Sequence, residues 1–241
     1  MELNRIYNGD CLEGMKRISD KSIDMILCDL PYGTTRNKWD SIIPLDLLWE
    51  QYNRIIKDNG AVVLTAQTPF DKVLGVSNLK NLKYEWIWQK QQGTGHLNAK
   101  KMPMKNHENV LVFYKKLPTY NPQMRGGKPY KQISGKGSMS YGRQEIVLTE
   151  NKGERYPLSC IKFNSDKGLH PTQKPVELFE YLIKTYTNEG ETVLDNCMGS
   201  GTTAIAAINT KRNFIGFELD EIYFNLANER IKENVKETDL E

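Results

Sequence analysis

Two short apolar runs, far apart in the chain, each stop at a turn-forming motif. Together they constrain the fold more than any other feature of the 241 residues. Ile23-Asp24-Met25-Ile26-Leu27-Cys28 runs into Asp29-Leu30-Pro31-Tyr32. Thr192-Val193-Leu194 runs into Asp195-Asn196-Cys197-Met198-Gly199-Ser200-Gly201-Thr202-Thr203. Both runs are short and apolar, and they read as strands of a parallel sheet covered on both faces. Open α/β sheets bind their ligands beyond the carboxyl ends of such strands. Asp29 and Gly199 are about 170 residues apart in sequence, yet a parallel sheet can bring both motifs to one edge.

The remaining pattern predicts an alternation of strands and helices. Pro44 to Ile56 carries a helical stripe of Leu45, Leu48, Trp49, Tyr52, Ile55 and Ile56. Asp58-Asn59-Gly60 is expected to end it, with Gly60 at positive φ. Strands are predicted at 61–64, 84–88 and 110–114, and Thr68-Pro69 opens a short helix. Val176, Phe179, Leu182, Ile183 and Tyr186 follow helical spacing after Pro175. After the glycine loop come a helix over 203–208, a strand over 213–218 and a helix over 221–232, with a fraying charged tail beyond. The expected fold class is α/β: a doubly wound, mostly parallel Rossmann-like sheet with a loop-rich basic insertion.

Charge is distributed unevenly. Residues 89–167 hold fifteen Lys and Arg against five Asp and Glu, whereas the whole chain is only +3. The basic residues are interleaved with Tyr114, Tyr120, Tyr130, Tyr141 and Tyr156, a mixture suited to phosphates and bases. Arg125, Lys128, Lys131, Lys136 and Arg143 are the candidate contacts. The expected organisation is a first half over 1–88, this insertion over 89–167 and a second half over 168–241. No run is long and apolar enough to span a membrane, and the N-terminal residues lack the apolar stretch of a signal peptide, so a cytoplasmic protein is expected. Cys11, Cys28, Cys160 and Cys197 form no C-x-x-C pair and have no His cluster beside them. Neither a metal site nor disulfides are expected, and Cys28 and Cys160 read as small apolar filler.

Strand, Gly-x-Gly loop, helix, strand and the acid Glu218 make one unit. The acid at the end of the second strand can accept both hydroxyls of a ribose. There is no Gly-Lys-Ser/Thr P-loop, so a nucleoside without phosphates fits as well as a nucleotide. S-adenosylmethionine is one such ligand. Asp29-Leu30-Pro31-Tyr32 suits an amine whose lone pair is delocalised into a ring. A carboxylate and a backbone carbonyl can accept its two hydrogens and free the lone pair. Pro31 biases Leu30 to an extended conformation that aims its carbonyl outward, and Tyr32 offers a stacking face for a base turned out of its helix.

In this order the motifs resemble the permuted β group of amino-directed DNA methyltransferases (N6-adenine and N4-cytosine). The resemblance covers nearly the whole chain. Asp29-Leu30-Pro31-Tyr32 matches Asp-Pro-Pro-Tyr, and Asn196-Cys197-Met198-Gly199-Ser200-Gly201-Thr202-Thr203 matches Pro-Phe-x-Gly-Ser-Gly-Thr-Thr. His170-Pro171-Thr172-Gln173-Lys174-Pro175 matches the segment that helps hold the methionine moiety, and Gly9-Asp10-Cys11 the stretch beside the adenine.

The resemblance implies an adenine-N6 DNA methyltransferase using S-adenosylmethionine, of bacterial or phage restriction-modification type. Asp29, Leu30, Pro31 and Tyr32 would be catalytic. Asp10, Cys11, Asp29, His170, Thr172, Lys174, Asp195, Gly199, Ser200, Gly201, Thr202 and Glu218 would meet the cofactor. Asp10 is also a candidate helix N-cap, and Lys174, fixed by flanking prolines, is a candidate for the cofactor carboxylate. Double-stranded DNA is the expected partner, with the protein a monomer or homodimer. Cytosine-N4 transfer is the alternative. An RNA or protein-glutamine methyltransferase would place the glycine loop first, and an inactive DNA-binding subunit would not need Asp29 and Tyr32 intact. Leu30 replaces a proline at a position whose role belongs to the backbone. Asn196-Cys197 replaces Pro-Phe and predicts looser packing over the methionine moiety.

Overall fold

The computed structural model describes residues 1–33, 41–134, 146–165 and 173–238. His170, Thr172, Lys136 and Arg143 lie outside the described residues. Two compact units are present: Met1–Asn121 with Ser159–Glu241, and Pro122–Leu158.

In the larger unit the chain runs β1 (Arg5–Asn8), α1 (Cys11–Met15), β2 (Ile23–Asp29), α2 (Leu45–Ile55), β3 (Ile56–Ala66), α3 (Phe70–Ser77), β4 (Leu82–Thr94) and β5 (Lys105–Phe113). The smaller unit holds β6 (Arg125–Gly126), β7 (Tyr130–Ser134), β8 (Val147–Asn151) and β9 (Glu154–Arg155). The chain then returns as β10 (Cys160–Lys162), α4 (Val176–Tyr186), β11 (Thr192–Asp195), α5 (Thr202–Asn209), β12 (Asn213–Glu218) and α6 (Glu221–Thr238).

One eight-stranded sheet runs β1-β12-β11-β2-β3-β5-β4-β10. All its pairings are parallel except those of β5 with β3 and with β4. Strand alternation feeds two cores. Met25, Leu27, Ala61 and Val63 join the core that includes Leu178, Phe179, Ala204 and Ala227 from α4, α5 and α6. Ile26, Cys28, Val62 and Leu64 join the core with Met15, Leu48, Tyr52 and Leu74 from α1, α2 and α3. Helices therefore cover both faces, as the buried character of β2 and β11 requires. The chain passes outward from β2 to β3 on one side and from β11 to β12 on the other. The β2–β11 boundary is thus the switch point where such sheets open a crevice.

Several local expectations are corrected. Residues 56–60 belong to β3, and Gly60 does not take a positive φ. A Cβ there would stand 2.7 Å from the Asp24 carbonyl oxygen, so Gly60 serves a close approach of two backbones. The β2–β3 register shifts at the same place. Residues 89–94 and 105–109 are not insertion but ladder: β4 and β5 pair antiparallel as far as Thr94 and Lys105, and β10 joins the same sheet. The separate unit is therefore narrower than 89–167. Helix α6 continues to Thr238 instead of fraying after Lys232, with Ile231 against the core and Asn234 bonded to Asn209. Cys28 is buried as expected, but Cys160, on the edge strand, is exposed. Among the described residues no helix is long and apolar enough to cross a membrane, and no three His, Cys, Asp or Glu side chains gather as a metal centre would need.

Candidate active site

Asp29 is the last residue of β2 and lies in register with Thr65 on β3. Its Oδ1 accepts the Tyr32 hydroxyl at 2.6 Å and a hydrogen bond from Thr65 Oγ1. Its Oδ2 accepts Lys174 Nζ at 2.5 Å. The Lys174 ammonium also stands 3.4 Å from Glu108 Oε2, and Glu108 Oε1 pairs with Lys90. Lys90 in turn lies 4.9 Å from the centre of the Trp88 ring. Leu30 turns its side chain into the core and is 3 % exposed, which leaves its backbone as its polar feature. One face of Tyr32 stacks on Phe70, with ring centres 5.4 Å apart, and the Lys174 ammonium lies over the ring 5.7 Å from its centre. Burial, then the neighbouring Asp29, holds the Tyr32 hydroxyl well above the usual phenol range; it stays a donor.

The glycine loop follows β11, the neighbour of β2. Gly201 adopts φ +86° and starts α5, a left-handed conformation that side chains disfavour. Glu218, at the end of β12, accepts the Gly199 amide at 2.7 Å and the Asp220 amide at 2.8 Å. Burial holds its carboxyl above the usual range despite these donors. Arg230 on α6 donates to the Ser200 carbonyl at 2.5 Å, and Thr202 Oγ1 donates to the Lys174 carbonyl at 3.4 Å. At the other side of the cleft Asp10 N-caps α1, accepting the Leu12 and Glu13 amides at 2.8 and 3.0 Å.

Asp195 turns inward. Its Oδ1 accepts the Cys197 amide at 2.9 Å and its Oδ2 accepts the Thr203 hydroxyl, so it shapes the loop from beneath. Burial pushes its carboxyl up to about 6, against the pull of Thr203 and the Cys197 amide. The folded protein thus binds this proton more tightly than an unfolded chain titrating near 3.8. Ionised Asp195 costs the fold nothing below the unfolded value and roughly 3 kcal/mol above the folded one. Asp195→Asn is expected to gain stability relative to wild type as pH rises from about 4 to about 7. Urea denaturation across that range checks it, and a difference independent of pH would contradict it.

Asn196-Cys197 does not loosen the site. Asn196 is 2 % exposed. Its Oδ1 accepts the Tyr52 hydroxyl from α2, and its Nδ2 points to Cys11 Sγ at 3.6 Å and Cys197 Sγ at 3.4 Å. A bonded amide thus joins α2, α1 and the loop. Burial and the neighbouring thiol of Cys197 hold the Cys11 thiol protonated, the Cys197 hydrogen bond being the larger cause.

Asp29 and the glycine loop open into one cleft of about 830 Å³, within the range of small-molecule sites; Gly201, Thr65, Tyr52, Phe70 and Arg230 are not among its lining residues. It gathers the predicted Asp10, Cys11, Asp29, Leu30, Pro31, Tyr32, Lys174, Asp195, Gly199, Ser200, Thr202 and Glu218. The sequence reading missed Thr65, Lys90 and Glu108. Thr65 was within reach, because it directly follows the predicted strand 61–64 beside β2. Glu108 carried a signal too: it is the one acid between Glu85 and Glu145 in a basic stretch.

Arg125, Lys128 and Lys131 lie in the smaller unit and are exposed. Arg125 donates through Nε and Nη2 to the Tyr156 carbonyl, both at 3.1 Å. Lys131 pairs with Glu150 across β7 and β8 at 2.9 Å. Arg155 lies over the Tyr130 ring at 4.5 Å.

Known proteins resemble this chain closely. The type II methyltransferase M1.MboII of Moraxella bovis is 30 % identical over 95 % of this chain and 96 % of its own. The DNA adenine methyltransferase YhdJ of Escherichia coli is 27 % identical over 95 % and 83 %. Among solved structures, an M1.HpyAVI complex with SAM has a TM-score of 0.65 at 26 % identity, covering 94 % of this chain and 98 % of that one. The cytosine-N4-specific PvuII methyltransferase has a TM-score of 0.69 at 16 % identity, covering 95 % and 90 %; this is a likeness of fold alone. The sequence profile of the N6_N4_Mtase DNA methylase family matches residues 23–229, and the chain belongs to that family.

Proposed function

We propose that this protein transfers a methyl group from S-adenosylmethionine to the N6 amine of an adenine turned out of double-stranded DNA. The observation that carries the reading is the meeting of Asp29 and the glycine loop in one cleft, at the ends of adjacent strands. The cleft suits the methyl donor. A Cβ on Gly199 would meet only the Cys197 carbonyl, at 4.0 Å, so the loop leaves open space beside it. Glu218 lines the cleft, and its carboxylate, already holding loop amides, is the acceptor offered to the ribose. Asp10 and Cys11 border the same cleft. When bound, the donor supplies an electrophilic methyl group.

The chain's own residues do the rest. Asp29 Oδ2 and the Leu30 carbonyl accept the two amine hydrogens, which localises the nitrogen lone pair. Tyr32 and Thr65 fix the carboxylate, and the Tyr32 ring supports the base. The proton lost from the product leaves to water or through Asp29. Alignment and fixed dipoles supply the acceleration.

Adenine is favoured over cytosine because Asp, not Ser, opens the tetrapeptide, and because the relative YhdJ is named a DNA adenine methyltransferase. The basic unit over 122–158 is the proposed DNA-recognition surface, with Arg125, Lys128 and Lys131 among its phosphate contacts. If each neutralises one phosphate, a fourfold rise in salt is expected to weaken DNA binding roughly 40-fold. An affinity insensitive to salt would contradict this. The deciding experiment is incubation with S-adenosylmethionine and unmethylated genomic DNA, followed by sequencing that detects modified bases. N6-methyladenine at one short sequence is expected. N4-methylcytosine, or unmodified DNA, would overturn the reading.

A further inference from the structure

We propose that Lys174 is a positioning residue for Asp29 and not a contact of the methyl donor: its buried ammonium, shared with Glu108, holds the carboxylate turned for the incoming amine. The inference rests on Asp29 being the amine acceptor.

The charges alternate along a chain of four side chains, Lys90, Glu108, Lys174 and Asp29. They come from β4, β5, the segment before α4, and β2. Lys174 is 7 % exposed and Glu108 5 %. A buried ammonium needs partners, and removing one partner of such a pair leaves an uncompensated charge. Here both partners are protein carboxylates, so the protein itself supplies the anions for Lys174. Burial works against the charged ammonium, but Asp29 and Glu108 outweigh it and raise its pKa above the usual lysine value.

Lys174 also settles which lone pair remains for chemistry. A carboxylate oxygen offers two acceptor directions. Tyr32 and Thr65 fill both on Oδ1, and Lys174 takes one on Oδ2. One acceptor direction is left, on the oxygen that Lys174 holds. The backbone of Lys174 is pinned in turn by the Thr202 hydroxyl and by Pro175 at the start of α4. The glycine loop and the catalytic carboxylate are therefore mechanically joined through one residue.

Without Lys174, Asp29 would face Glu108 on β5 and Asp195 on β11. Tyr32 and Thr65 would be its remaining donors, and Lys90, beyond Glu108, the remaining cation. With the cation gone, like charges repel across the site, and Oδ2 has lost the group that holds it.

Lys174→Met, Lys174→Arg, Glu108→Gln and the double variant Lys174→Met/Glu108→Gln test the proposal. Folding is checked by thermal denaturation, donor affinity by calorimetry without DNA, and chemistry by single-turnover methylation at saturating donor. Lys174→Met is expected to keep its donor affinity within about threefold and to lose about 10²-fold in rate. Lys174→Arg restores part of the rate. The double variant, which removes the like charge with the cation, recovers about tenfold over Lys174→Met; it also keeps the test decisive if Lys174→Met fails to fold. A donor affinity weakened tenfold with a normal saturated rate would make Lys174 a donor contact and overturn the proposal. So would an unchanged rate. A wild-type protein that methylates no exocyclic amine would instead overturn the reading on which the proposal rests.

Discussion

Asp29→Ala is expected to slow methyl transfer about 10³-fold while leaving donor and DNA affinity within a few-fold of wild type. Alanine removes the acceptor but leaves the cleft walls in place. Leu30 stays anchored in the core, and the ammonium of Lys174 retains Glu108. What is lost is acceptance of an amine hydrogen, an interaction that strengthens as the nitrogen becomes tetrahedral, so it belongs to the transition state. Asp29→Asn is expected to lose nearly as much. Its amide can still accept from Tyr32 and Thr65, but its NH2 would then point a donor at the Lys174 ammonium. Single-turnover assays at saturating donor and DNA separate this from a binding defect. Undiminished methylation by Asp29→Ala would remove Asp29 from the mechanism.

Gly201→Val is expected to cost roughly 2–5 kcal/mol of stability, as the sum of two effects. The first is conformational: φ is +86°, and a β-branched residue pays most in the left-handed region. The second is steric. A Cβ there would lie 3.1 Å from Ala227 Cβ and 3.3 Å from its Cα, and valine adds two methyl groups to that contact. Because Gly201 also bonds back to the Met198 carbonyl and receives the Ile205 amide, the strain falls on the loop that faces the donor. Donor affinity should therefore fall together with the urea midpoint. Gly201→Ala should lie between valine and wild type, and equal midpoints for all three would contradict the account.

The sheet was legible because its central strands are buried on both faces and announce themselves as apolar runs. β2, β11 and β12 were found nearly to the residue for that reason. β4 and β5 were cut short at Trp88 and Val110, because their outer ends carry Gln, Lys, Gly and His. There backbone pairing, and not an apolar pattern, makes the strand. The same blind spot hid Glu108. In an antiparallel strand the beginning, not the end, faces the site, so a search at strand ends passes over it. The cleft gathers most of the motif residues. Asp195 and Lys174 were expected to meet a ligand. Asp195 bonds within its own loop to the Cys197 amide and Thr203, whereas Lys174 pairs with Asp29 from a distant part of the chain, which spacing cannot reveal.

The strand order also sets a timetable for synthesis. β2, β3, β4 and β5 are made early and can pair as they emerge. β1 is made first but its partner is β12, and β2 completes its second edge only with β11. Through most of translation the nascent chain therefore carries Asp29 on an unfinished sheet, without Lys174 beside it and without the glycine loop. Catalytic competence arrives late and all at once, when the last two strands slide in between β1 and β2.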